Sequence, residues 1–135
     1  IDSSPKVVSA AAERLKKWPK VSVQNADMHA LPFAGPQFDL VLMMHALSYS
    51  KKPALAIDEA ARVLRSGGEL LLSCLLKHGH RSAVEPYGHE NLGFSQKELI
   101  RFAEKAGLKL KHCEVVSRER RAPHFEIVML LAVKP

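Results

Sequence analysis

The stretch that decides the fold runs from residue 38 to residue 76. It begins with FDLVLMMH at residues 38–45, continues through a polar turn into ALAIDEAARVL at residues 54–64, and ends with ELLLSCLL at residues 69–76. The first and last runs are apolar and too short for a helix, whereas the middle run repeats its apolar side chains at helical spacing. The pattern predicts a strand, a helix and a second strand, which implies a parallel pair of strands.

The residues at the ends of the helical segment support this prediction. Pro53 suits the first turn of a helix, where its missing N–H needs no partner. Gly67 lies where a helix often ends in a left-handed residue, and Gly68 allows a tight turn into the next strand. The almost continuous apolar character of both strands is typical of a parallel sheet covered by helices on both faces. We therefore expect an α/β fold.

The preceding and following segments continue the alternation of helices and strands. Ser4 and Pro5 are suited to cap and start a first helix, and residues 21–27 alternate as a short strand. Residues 77–91 form a long polar loop, and loops of this length are often functional.

A capping box predicts the last helix. Ser95 and Glu98 form the box, and Gly107 ends the helix. Residues 108–116 and 125–133 are expected to be strands. The connection between them holds no helix, and a parallel crossover needs a dozen or more residues, so these strands should form an antiparallel hairpin.

Length, composition and charge limit the kind of protein. The 135 residues, 47% of them hydrophobic, are enough for one domain over residues 1–135. No apolar run approaches the roughly 20 residues of a membrane helix, and no secretory leader pattern is present, so we expect a soluble cytoplasmic protein. The net charge of +6 is dispersed, and only residues 118–121 are densely basic. We expect contact with nucleic acid only through an attached domain, if there is one.

Four motifs occur in order along the chain. They are IDSS at residues 1–4, NADM at 25–28 with LPF at 31–33, FDLV at 38–41, and AARVLRSGG at 60–68. Together with the terminal hairpin, they resemble the class I S-adenosylmethionine-dependent methyltransferases. GHENLGFS at residues 88–95 is further similar to type 11 methyltransferase domains of the kind that follow ArsR-type regulators. The resemblance implies a Rossmann-like, mainly parallel sheet and S-adenosylmethionine as the cofactor.

One part of the family pattern has no counterpart in this chain. The first strand and its glycine-rich loop, which wrap the methionine end of the cofactor, would lie before Ile1. We therefore expect a fragment of a longer protein that binds cofactor weakly or not at all by itself. Strand edges exposed in this way can recruit another chain, so we also expect a homo-oligomer.

The resemblance implies cofactor contacts near the start of the chain. Asp2, with Ser3, would accept hydrogen bonds from the ribose hydroxyls, and the competing interpretation is that Asp2 only helps to cap a helix. Asp27 would accept from the adenine amino group with Met28 beside the ring, and the competing interpretation is an ordinary turn carboxylate.

A second group of predicted site residues follows the central strand at residues 38–45. Met44 and His45 would line the cofactor where open α/β sheets bind ligands, although methionines in an apolar run are also common core residues. His45 could act as a general base toward a substrate hydroxyl or amine, and Tyr49 could orient the same group. His78, His80 and His89 match no metal-ligand spacing, so we predict no metal site and interpret their loop as a cover over the substrate.

The resemblance implies methyl transfer to an oxygen, nitrogen or carbon nucleophile of a small molecule or another acceptor, with the protein supplying mainly proximity and alignment. An alternative is a non-catalytic regulatory or dimerisation module that uses residues 118–121 to contact a partner. A dinucleotide-dependent oxidoreductase fits Asp2 equally well but fits the terminal hairpin poorly. The sequence does not identify the methyl acceptor.

Overall fold

Helix α1, Pro5–Leu15, is the regular element of the first of two units into which the chain divides, Ile1–Phe33 and Ala34–Pro135. The computed structural model describes residues 1–135 throughout. Ser4 caps the helix as predicted, because its hydroxyl accepts a hydrogen bond from the Val7 N–H at 3.4 Å. The extent of a single domain over residues 1–135 stays a prediction.

The strand predicted at residues 21–27 is wrong. This segment forms only two isolated bridges, a parallel one between Asn25 and Asp2 and an antiparallel one between Asp27 and Ala30. In the first, Asp2 donates to Gln24 and accepts from Ala26 through its backbone. Residues 21–24 form no bridge, so the alternating segment is not part of a ladder. The sequence of this segment does alternate, but alternation gives a strand only where a neighbouring strand pairs with it.

The central prediction of a parallel strand pair is confirmed in the second unit. Strand β1, Phe38–Met44, leads through a 3₁₀ turn, Ala46–Tyr49, to helix α2, Pro53–Val63. Strand β2, Leu64–Leu75, follows the helix directly and pairs in parallel with β1.

The predicted role of Gly67 at the end of this helix is wrong. Helix α2 ends at Val63, and Leu64 is already extended. Gly67 has a φ of +80° within β2, where it donates to the Lys134 carbonyl at 2.8 Å. The register between β1 and β2 shifts across this segment. The left-handed residue therefore serves an irregularity of the strand rather than a helix cap.

The remainder of the unit follows the predicted order. A short helix α3, Arg81–Val84, lies in the predicted loop and is followed by a 3₁₀ turn, Glu85–Tyr87. Helix α4, Gln96–Lys105, begins with the predicted capping box. Strands β3, Lys109–Arg118, and β4, Glu126–Val133, pair in an antiparallel hairpin, as expected.

The four strands form one sheet in the order β1-β2-β4-β3, with β4 antiparallel to both of its neighbours. The side chains of one face are fully buried with the apolar residues of α2 and α4: Leu70, Leu72, Cys74, Val128, Leu130 and Ala132. Within this unit, helices α2 and α4 supply most of the helical core residues, and the short helix that follows β2 adds Val84. No helix of the structure has the length and apolar character needed to cross a bilayer.

The opposite face is open along β1. Leu40, Leu42 and Met44 point to this face and remain 49%, 57% and 55% exposed. β1 is an outer strand of the four and pairs only with β2 within Ala34–Pro135. The expectation of helices on both faces is therefore not met within this unit.

Candidate functional site

The first unit carries two of the predicted cofactor residues on segments that are hydrogen-bonded to each other. Asp2 pairs with Asn25, and Asp27 lies two residues farther along the same segment. Both carboxylates are exposed, as is Ser3 between Asp2 and the helix cap. Exposed carboxylates accept hydrogen bonds from hydroxyl and amino donors, which are the polar groups that an adenosine presents.

Each carboxylate also has a local partner. Asp2 Oδ1 accepts from the Ser4 N–H at 2.8 Å, so this side chain helps to cap α1 as the competing interpretation held. Asp27 Oδ1 accepts from the His29 N–H at 2.9 Å and lies 2.6 Å from His29 Nδ1. Met28 is half-buried beside it. Both side chains are exposed hydrogen-bond acceptors, and this chemistry fits the ribose and adenine roles.

The second unit places Met44, His45 and Tyr49 at the carboxyl end of β1. Met44 is half exposed, and its sulfur lies 3.8 Å from the Ser73 Oγ. His45 has a φ of +56°, which ends the strand, and its N–H donates to the Ser73 carbonyl at 2.8 Å. Histidine adopts this left-handed backbone more often than most residues other than glycine, and residues held in it cluster at functional sites.

The 3₁₀ turn after His45 is joined to the segment at residues 88–93. The Ser48 carbonyl accepts from the Glu90 and Asn91 N–H groups at 2.8 and 3.2 Å. The Asn91 side-chain amide donates to the carbonyls of Leu47 and Ser50 at 3.1 and 2.5 Å. Four hydrogen bonds therefore hold this segment of the predicted loop against the turn that carries Tyr49.

This attachment brings His89 into contact with the predicted site. The rings of His89 and Tyr49 meet edge to face, with centroids 5.0 Å apart and an interplanar angle of 71°. Burial, and then the charge of His45, lower the pKa of His89. The sequence analysis treated His89 only as a loop histidine. Its neighbours in the sequence could have identified His89 as a site residue, because nearby glycines shape the segment and Asn91 attaches it to the 3₁₀ turn.

The other histidines of the loop form a separate contact. His78 stacks on His80 with centroids 5.9 Å apart and packs on Phe125 at 4.6 Å. Burial, followed by the charges of His80 and His89, lowers the pKa of His78. No three histidine, cysteine or carboxylate side chains of residues 1–135 converge as metal ligands. Burial raises the pKa of the Cys74 thiol to about 12, which argues against a thiolate nucleophile there.

Comparison with known sequences shows which protein family this chain resembles. The model of a methyltransferase domain matches residues 1–72. Demethylmenaquinone methyltransferase of Tropheryma whipplei is 34% identical over 89 residues, which cover 64% of this chain and 36% of that protein. The chain spans 21% to 36% of the length of the first curated relatives that it matches.

Solved structures confirm the predicted Rossmann-like α/β fold. The [4+2]-cyclase SpnF superimposes with a TM-score of 0.82 at 21% identity, covering 98% of this chain and 64% of that chain. The N-methyltransferase NodS of Bradyrhizobium japonicum WM9, in complex with S-adenosyl-l-homocysteine, gives a TM-score of 0.74 at 19% identity, covering 99% and 64%. Because one neighbour is a cyclase, the fold alone does not define the reaction.

Proposed function

This chain belongs to the type 11 methyltransferase domain family, and from that premise we propose that it acts, within a longer protein, in S-adenosylmethionine-dependent methylation of a small molecule. The family match over residues 1–72 is the observation that carries the proposal. The cluster of His45, Tyr49 and His89 at the carboxyl end of β1 supports it, because ligands of open α/β sheets bind at that end of the strands. The cytoplasmic location stays a prediction.

In the first unit, we assign the adenosine part of the cofactor to Asp2 and Asp27. Asp2 would accept from the ribose hydroxyls through the oxygen that does not bind Ser4, and Asp27 would accept from the adenine amino group. Met28 would supply an apolar contact for the ring. When bound, S-adenosylmethionine supplies a methyl group already activated by its sulfonium.

In the second unit, His45 is the proposed general base. For a hydroxyl or amine acceptor, a ring nitrogen of His45 would take the acceptor's proton as the new bond to carbon forms, and would return it to solvent. Tyr49 would hold the acceptor beside that ring. Met44, half exposed at the same strand end, is the proposed cofactor contact of this unit. A carboxylate or carbanion acceptor would need no base.

The acceptor is proposed to be a small molecule with an oxygen, nitrogen or carbon nucleophile. Support comes from a relative whose name specifies demethylmenaquinone and from a neighbour named as an N-methyltransferase. These names describe those other proteins, and they suggest which classes of methyl acceptor to test with this one.

A second candidate is a non-catalytic regulatory or dimerisation module. The half-exposed apolar side chains of β1 and the exposed basic residues 118–121 favour it, because both could contact a partner. Binding of cofactor distinguishes this candidate from the first.

The test is a calorimetric titration with S-adenosylhomocysteine. We expect weak or absent binding to the 135-residue chain and tighter binding to a form extended upstream of Ile1. In the tighter-binding form, Asp2→Asn keeps the oxygen that accepts from Ser4 but removes the charge and the second acceptor oxygen. The loss of one charged hydrogen bond should weaken binding roughly 10- to 100-fold.

Asp58→Asn, at an exposed carboxylate on α2, is the matched control and should leave binding unchanged. Equal affinities for Asp2→Asn and the parent would remove the ribose assignment. Absence of binding in both forms would reject the enzyme and favour the regulatory module. Submicromolar binding by the 135-residue chain would contradict the expectation of an incomplete cofactor site.

A further inference from the structure

Building on the proposed function, we propose that His89 is an acceptor-binding residue, which donates a hydrogen bond from Nε2 to an oxygen atom of the methyl acceptor beside Tyr49. The proposal extends the site beyond His45 and Tyr49 and narrows the class of acceptor. It follows from how the imidazole is held and from the environments of its two nitrogens.

The backbone on both sides of His89 is fixed. Gly88 donates to the Glu85 carbonyl at 2.9 Å, and Glu90 donates to the Ser48 carbonyl at 2.8 Å. The ring of Tyr49 also meets the ring of His89 edge to face. A ring positioned by backbone bonds and by packing is oriented before a ligand arrives, which reduces the entropy lost on binding.

The two ring nitrogens of His89 differ in their surroundings. Nδ1 is enclosed and has no hydrogen-bond partner, whereas Nε2 is not enclosed. An enclosed N–H without an acceptor is rarer in proteins than an enclosed acceptor without a donor. The tautomer with its proton on Nε2 is therefore favoured, and this nitrogen presents an N–H donor at the accessible edge of the ring.

The charged form of His89 is disfavoured by the same surroundings. Protonation of both nitrogens would leave a cationic N–H enclosed without a partner, and it would face His45 at the end of β1 and His78 after β2. The one neighbouring carboxylate in the segment, Glu90, pairs with Lys51 at 3.6 Å. The lowered pKa of His89 agrees with this argument.

A neutral N–H donor selects the chemistry of its ligand. It binds an oxygen lone pair of a carboxylate, carbonyl or phenol, and a protonated amine has no lone pair to offer it. The donor and the base are then separate groups, because His45 takes a proton while His89 gives a hydrogen bond. The acceptor that this site fits carries at least one such oxygen next to the position that is methylated.

The first experiment is long-range ¹H–¹⁵N NMR of the histidine side chains of the chain, recorded from mildly acidic to neutral pH. The His89→Gln spectrum identifies the His89 signals by their loss. We expect the neutral tautomer with its proton on Nε2 at neutral pH, and charging of the ring only at a pH below that of free histidine. A proton on Nδ1, or a cationic ring at neutral pH, would overturn the proposal.

The second experiment adds acetate and phenol as oxygen probes and follows the ring signals of His89, with exposed His112 on β3 as the reference. The His89 signals should shift with at least one probe while those of His112 stay constant. His89→Gln places an amide N–H near the position of Nε2, whereas His89→Asn places it near Nδ1.

Probe binding is then followed through the Tyr49 ring signals, which all the variants share. We expect His89→Asn to weaken binding about 5- to 10-fold, the effect of one lost neutral hydrogen bond, and His89→Gln to stay close to the parent. Equal losses in both variants would indicate a structural role, and unaltered binding in both would also reject the proposal.

These readouts are independent of the cofactor. If S-adenosylhomocysteine binds neither the 135-residue chain nor the extended form, but the tautomer and the Gln and Asn pattern are as expected, the methyltransferase proposal fails and the oxygen-binding role of His89 stands. If S-adenosylhomocysteine binds and the tautomer is the opposite one, the role of His89 fails and the proposed function stands.

Discussion

Gly93 shows at the scale of one residue how closely the segment with His89 approaches the sheet. Its φ is +77°, and a Cβ added there would lie 2.5 Å from the carbonyl oxygens of both Leu75 and Leu76. The Phe94 N–H donates to the Leu75 carbonyl at 2.9 Å, directly beside this contact. A side chain at Gly93 would therefore force the backbone away from the end of β2 and move the segment that attaches to the 3₁₀ turn.

We predict that Gly93→Ala destabilises the protein more than Gly88→Ala does. Gly88 also has a positive φ, +76°, but a Cβ there would meet no atom within 4 Å. The left-handed conformation alone should cost Gly88→Ala about 1–2 kcal/mol of unfolding free energy. The backbone clash should add about 1–3 kcal/mol for Gly93→Ala, as overpacking does. Urea denaturation of both variants measures the difference, and equal losses would contradict the contact.

At the scale of an element, helix α4 depends on its capping box. Glu98 Oε2 accepts from the Ser95 N–H at 2.9 Å and from the Ser95 hydroxyl at 2.7 Å, and Lys77 contacts the other oxygen at 3.1 Å. The backbone hydrogen bond from Ser95, then its hydroxyl, and then Lys77 lower the pKa of Glu98 to about 2. Burial opposes this shift and is outweighed.

The sign of the resulting pH dependence follows from the lowered pKa. The carboxylate stabilises the folded state fully above its ordinary pKa of 4.5, and this contribution is lost as the pH falls from about 4.5 toward 2. We predict that Glu98→Gln flattens the acid limb of a plot of unfolding free energy against pH. Glu104→Gln, an exposed position on the same helix, should leave the limb unchanged. Ser95→Ala should cost about 1 kcal/mol at neutral pH. An unaltered acid limb in Glu98→Gln would disprove the assignment.

At the scale of the whole molecule, the open face of β1 bears on association. Leu42 is 57% exposed on an outer strand, and apolar outer strands are sites where chains pair. The net charge of +6 opposes association of copies at low ionic strength. We therefore predict a homo-oligomer that becomes more populated as salt is added, because screening reduces this repulsion.

Sedimentation velocity over a wide range of protein concentration measures this association. Leu42→Lys should shift the distribution toward monomer, while Leu55→Lys, at a 39% exposed leucine on α2, should not. A monomer under all conditions, or equal effects of the two substitutions, would reject association through this strand.

Sequence reasoning recovered those parts of the fold that depend on neighbours along the chain. The α1 cap at Ser4, the capping box of α4 and the apolar runs of β1 and β2 are local patterns, so they were readable without tertiary information. The predictions for residues 21–27 and for Gly67 were wrong because strand formation and the place of a left-handed residue depend on pairing with distant segments.

The sequence by itself determined the α/β alternation, the terminal hairpin, the family resemblance and the position of His45 at the end of β1. Only the tertiary structure decided that Asn91 attaches a distant segment to the turn after β1 and that His89 lies against Tyr49 with its Nδ1 enclosed. Contacts between segments far apart in sequence depend on how the strands and turns pack, and no local periodicity encodes them.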